Sequence, residues 1–155
     1  MAAGSYYFAM TAFDAGTGKK LWTAPHPYGG YQSPEDVLVA DGLVWAADTA
    51  KGGAEGAWIG RNLRTGDVER EVPPTVKTRW FHHRCYRAKA TSNYILMSRA
   101  GIEYVDVRAE TWDANHWVRG SCNYGVLPCN GLTYAPPHSC ACYILAKLNG
   151  LNALA

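Results

Sequence analysis

Short apolar runs alternate with clusters of turn-forming residues along this chain, a spacing that belongs to strands rather than helices. Ser5 to Phe13 is aromatic and apolar, Asp14-Ala-Gly-Thr-Gly18 supplies residues that tolerate positive φ, and Lys20-Leu-Trp22 resumes an extended pattern. Asp36 to Ala47 holds two apolar runs around Asp41-Gly42, the strongest short hairpin signal in the chain. Ala57-Trp-Ile-Gly60 leads through Asn62-Leu-Arg-Thr-Gly66 into Asp67 to Val72, and Ser92 to Val107 pairs two runs through Arg99-Ala-Gly101. Cys122 to Cys129, followed by Asn130-Gly131, announces one more hairpin. Antiparallel strands are therefore expected near Tyr6 to Phe13, Asp36 to Val39, Leu43 to Ala47, Trp58 to Asn62, Tyr94 to Ser98 and Ile102 to Val107, with helix nearly absent. Ala24 to Gly30, with two prolines and paired glycines, reads as a connecting loop in which His26 is solvated. Trp112 to Trp117 reads as outer strand, with the indoles buried.

The turns recur. Thr65 of the second Thr-Gly pair lies 48 residues after Thr17, Asp106 lies 44 after Asn62, and Asn152 lies 46 after Asp106. Self-similarity at about 40–50 residues, with several short strands per unit, is the sequence form of β-propeller blades. The fold class expected is all-β, with antiparallel four-stranded blades of a partial propeller. About three blades fit the chain, in a single domain over residues 1–155. A closed propeller takes about four to eight blades, so the expectation is a fragment, or a unit that closes by association.

Ala12, Asp14, Thr17, Gly18 and Trp22 follow the pattern Ala-x-Asp-x-x-Thr-Gly-x-x-x-Trp, and this stretch resembles the pyrroloquinoline-quinone-type, quinoprotein-like propeller repeat. The second copy keeps Asn62, Thr65 and Gly66 but has Arg70 where the Trp would stand, and the third lacks the Thr-Gly pair. His82 to Arg87 and Tyr124 to His138 are similar to parts of large secreted propeller proteins of environmental bacteria. The resemblance implies a periplasmic or extracellular location. It leaves function open, because some such proteins are quinone-dependent dehydrogenases holding the cofactor with calcium, whereas others bind no cofactor and scaffold assemblies. No full set of cofactor-binding residues is recognised in this chain, so its cofactor is unknown.

Composition narrows the field without choosing within it. With 48% hydrophobic and 18% charged residues the chain is a folded one, and a net charge of +2 from scattered Lys and Arg gives no footprint for nucleic acid. No apolar run approaches the roughly 18 residues of a membrane span, and Met1-Ala-Ala-Gly-Ser5 lacks the regions of a signal peptide. The five cysteines are odd in number, and four of them (Cys122, Cys129, Cys140 and Cys142) fall in the last quarter. They fit disulfide staples, soft metal ligands or buried thiols, and no Cys-x-x-Cys pair decides among these.

The most chemically loaded segment is Arg79 to Arg87. His82, His83, Arg84 and Tyr86 are its candidate catalytic residues, a His or Tyr serving as base while an Arg holds an anionic group. His138, Cys140 and Cys142 are candidate ligands for zinc or copper. His82 lies 24 residues before Asp106 and His138 lies 14 before Asn152, so both precede the turn of their repeat and could converge. Three readings follow: a non-catalytic segment that binds or scaffolds; a lyase or hydrolase acting on acidic sugars; a quinone-dependent oxidoreductase in a longer parent. Expected partners are copies of the chain or further blades, with carbohydrate also a candidate.

Overall fold

The computed structural model describes residues 8–26, 36–48, 56–75, 86–97, 101–137 and 148–155. Within them the chain forms strands and turns and no helix, arranged as four antiparallel sheets. The first sheet pairs β1 (Phe8–Phe13) with β2 (Lys20–His26). The second is the meander β3 (Leu38–Ala40), β4 (Leu43–Asp48), β5 (Ala57–Asn62) and β6 (Val68–Val72). The third repeats that order with β7 (Lys89–Ala90), β8 (Tyr94–Met97), β9 (Ile102–Asp106) and β10 (Thr111–Asn115). The fourth joins β11 (Leu127–Cys129), β12 (Leu132–Ala135) and β13 (Asn152–Leu154). No helix among the described residues is long and apolar enough to cross a membrane.

The expected all-β antiparallel class is the observed one, and the expected strands are found within one or two residues of their predicted ends, with Tyr6, Tyr7 and Ser98 lying outside the described residues. Their apolar runs are continuous because the middle sheets are covered on both faces. Alternate residues of β4 go to opposite sides: Leu43 and Trp45 join a core with Ile95, Met97 and Val105 of the third sheet, whereas Val44 and Ala46 join Met10, Trp22 and Ala24 of the first. On β8, Ile95 and Met97 face the second sheet, while Leu96 packs with Val126 and Ala135 toward the fourth. Three apolar layers thus hold four sheets in chain order. Trp45 and Trp58, both fully buried in these layers, keep their polar atoms satisfied, Trp45 Nε1 donating to the Ala40 carbonyl at 2.9 Å and Trp58 Nε1 to Met97 Sδ at 2.8 Å.

The structure corrects several local expectations. Ala24, Pro25 and His26 are not a loop but the end of β2, with Pro25 opposite Ala9 and His26 opposite Phe8. Proline is accommodated because β2, among the described residues, is paired on one side only. His26 is accordingly buried (5% exposed) rather than solvated. Asn152 opens β13 instead of ending a strand, so it does not correspond to Asp106. Trp112 is buried as expected, but Trp117 is 67% exposed, since β10 stops at Asn115. No disulfide joins Cys122 to Cys129, and Cys129 is an exposed free thiol. Lys89–Ala90 of β7, a strand too short for its apolar pattern to register, was not expected at all.

Candidate functional site

Alternate hairpin turns of a meander, such as Asp41-Gly42 and Asn62 to Gly66 in the second sheet, lie at one end of the sheet. Asp41-Gly42 and Asn130-Gly131 close their hairpins with both residues at positive φ (45° and 75°, 51° and 76°), the geometry for which Asp-Gly and Asn-Gly are suited. Three further turns share one device. Asp14 Oδ1 accepts the backbone N–H groups of Gly16 and Thr17 (3.1 and 2.8 Å), Asn62 Oδ1 those of Arg64 and Thr65 (2.8 and 3.1 Å), and Asp106 Oδ1 those of Arg108 and Ala109 (both 2.9 Å). The residue four places after each has positive φ: Gly18 at 69°, Gly66 at 78° and Glu110 at 55°. The third repeat therefore keeps the turn after losing the Thr-Gly pair, because the side-chain acceptor organises it. These contacts also stabilise charge. Hydrogen bonds from the Thr17 hydroxyl and backbone hold the Asp14 carboxyl below its ordinary value, and the Ala109 N–H does the same for Asp106.

The second and third of these turns each receive a side chain from the sheet before it. Trp22 Nε1 donates to the Leu63 carbonyl at 2.9 Å, with its ring over Gly66, where an added Cβ would lie 2.7 Å away. Arg70 makes the equivalent contact in the following repeat, Nη1 donating to the Val107 carbonyl at 2.7 Å. Leu63 and Val107 both directly follow their turn's Asx residue. Arg70 Nη1 and Arg108 Nε also clamp Asp41 at 2.7 and 2.8 Å, pulling its carboxyl below the ordinary range, Arg70 first. So Arg70, which breaks the sequence motif, preserves its contact.

The third sheet departs from this scheme. Trp22 is opposite Ala12 and Arg70 opposite Gly60, both two residues before the turn acceptor, and in each hairpin the register then shifts by a bulge. β9 and β10 pair without a bulge, so the residue opposite Tyr104, at the same place, is Asp113. Its side chain is too short to cross to the next sheet. A groove of about 600 Å3 opens there between the third and fourth sheets. Tyr94, Leu96 and Tyr104 line one wall with Asp113, and Cys129, Asn130, Leu132 and Thr133 line the other. Tyr104 is half-buried and hydrogen-bonded to Thr133; burial raises its phenol above the ordinary value against that bond.

A second polar cluster lies at the opposite end of the sheets. Asp36 is buried just before β3; one carboxylate oxygen accepts the Ala88 N–H at 2.8 Å and the other lies 3.6 Å from Arg87 Nη1. His26 Nε2 is 3.2 Å from the Asp36 carbonyl. Burial raises the Asp36 carboxyl above its ordinary value, outweighing the Ala88 hydrogen bond and the Arg87 charge. The cluster ties the entrances of the second and third sheets to the end of β2.

Of the residues expected to carry chemistry, His82, His83, Arg84, His138, Cys140 and Cys142 lie outside the described residues. Tyr86 is described: it is 3% exposed, its hydroxyl donates to the Gly101 carbonyl at 3.5 Å, and its ring covers Gly125. Cys122 Sγ is 3.5 Å from Arg119 Nη2. Among the described residues no three His, Cys, Asp or Glu side chains gather as metal ligands. Asp113, Tyr94 and Tyr104 were missed because only the absence of a bulge in the third hairpin aligns Asp113 with Trp22 and Arg70.

No protein-family model matches the chain, and no curated protein matches it either.

Proposed function

We propose that the chain is a non-catalytic binding or scaffolding segment of a secreted bacterial protein, built from β-propeller-type repeats of the quinoprotein-like kind and acting outside the cytoplasm. The observation that carries this reading is the contact made twice across sheet boundaries, Trp22 to the Leu63 carbonyl and Arg70 to the Val107 carbonyl. A hydrogen bond from each repeat to the turn of the next is a device for stacking sheets in series, and a series presents unfilled surfaces at its ends. The first sheet exposes Phe13 and Leu21 on the side away from its core, and the fourth exposes Leu127 and Leu151. Apolar side chains beside unpaired strand edges recruit further sheets, from copies of the chain or from a longer parent. Sedimentation equilibrium at low micromolar concentration is the test. A dimer or larger species is expected, and replacing Phe13 and Leu21 together by Lys should shift it toward monomer. A strictly monomeric chain would refute the scaffolding role.

A further inference from the structure

We propose that the groove between the third and fourth sheets is a binding site for a neutral hexopyranose chain, an inference that rests on the binding role above and gives it a ligand. Three equivalent positions define the site. At the first two inter-sheet boundaries Trp22 and Arg70 reach across and donate to the neighbouring turn. At the third the equivalent residue is Asp113, exposed, with about 600 Å3 of open volume in front of it. Volumes of about 300–1,000 Å3 are those of ligand pockets.

The lining selects the ligand. Tyr94 and Tyr104 offer ring surface, which suits the flat C–H face of a pyranose. Asp113 and Asn130 offer carboxylate and amide groups, which suit ring hydroxyls that both donate and accept. A purely apolar occupant would desolvate the Asp113 carboxylate without pairing it, a cost that excludes lipid-like ligands. An acidic sugar would bring its own carboxylate to Asp113, and the described residues lining the groove include no Lys, Arg or His to offset the repulsion. The site therefore favours uncharged chains over the uronates that Arg84 and its neighbours suggested from sequence. Tyr94 is 41% exposed and can be truncated without opening a core, which makes it the natural probe.

Isothermal titration of the full chain with cellohexaose, mannohexaose, maltohexaose and hexagalacturonate is the test, with folding of each variant checked by circular dichroism. At least one neutral hexamer should bind, and hexagalacturonate should not. Tyr94→Ala should weaken binding about three- to tenfold, the loss of one stacking contact. Asp113→Trp, which supplies the side chain that fills the first boundary, should abolish binding while the chain stays folded. The proposal is overturned if no neutral hexamer binds, if hexagalacturonate binds equally well, or if both variants bind like the parent. Self-association is measured separately, so a chain that assembles but binds no sugar would refute this site alone.

Discussion

Glu110 sits where the other two repeats have glycine, and its φ of 55° places an L side chain in the left-handed region, at a cost of about 1–2 kcal/mol. Its carboxylate returns little, lying 4.0 Å from Arg70 Nε on the exposed surface. Glu110→Gly should therefore stabilise the chain by up to about 1 kcal/mol, after allowance for glycine's greater freedom when unfolded. Urea denaturation measures this, and an unchanged midpoint would mean that the turn is held by Asp106 alone. Gly66 is the opposite case. It needs positive φ and also leaves room for the Trp22 ring, 2.7 Å from where a Cβ would be. Gly66→Ala should cost about 2–4 kcal/mol, because backbone strain and overpacking add. Gly18 has a similar φ and nothing within 4 Å, so Gly18→Ala should cost only the strain, about half as much. Equal losses at the two positions would show that Trp22 moves aside without cost.

At the scale of elements, the hairpins legible in the sequence were those with Asp-Gly, Asn-Gly or Thr-Gly turns, since such turns need residues that accept positive φ. The turn after β9 was legible only as an apolar run ending at Asp106, and its side-chain acceptor supplied the rest. Arg70 shows how far a motif can drift while its physics persists: indole and guanidinium are both long donors that cross from one sheet to the next. Arg70→Ala should leave the Val107 carbonyl and part of the Asp41 carboxylate without a donor, costing about 1–3 kcal/mol. Arg70→Trp, which restores the motif residue, should recover part of that loss through the Val107 carbonyl but none through Asp41. Thermal melts of the two variants test this ordering, and an Arg70→Trp chain no more stable than Arg70→Ala would contradict it.

For the whole molecule, the two ends of the sheets respond to acid in opposite senses. Asp14, Asp41 and Asp106 have folded-state values below 3.8, so their contribution is complete above that pH and is lost as pH falls through the lowered values. Asp36 has a raised value, so folding takes up its proton between 3.8 and the raised value, and stability falls as pH rises through that window. Acidification from neutral pH should first relieve the Asp36 penalty and then undo the turns. Melting temperatures measured across the acid range should show that Asp36→Asn removes the first effect and leaves the second. If the variant follows the parent through that window, the Asp36 carboxyl is not the group responsible.

The sequence by itself determined the class of fold, because apolar runs of strand length and residues suited to positive φ are local properties of the chain. It also determined most hairpins, and the recurrence of one turn at Asp14, Asn62 and Asp106. Only the tertiary structure decided which face each strand residue serves, since strands covered on both sides show no alternation to read. Burial of Asp36 was likewise beyond the sequence, because Arg87 and the Ala88 N–H that meet it come from a segment distant along the chain. The groove was least legible of all. It exists because one hairpin lacks a bulge, which moves Asp113 into the place of Trp22 and Arg70, and register is a property of two paired strands that neither strand carries alone.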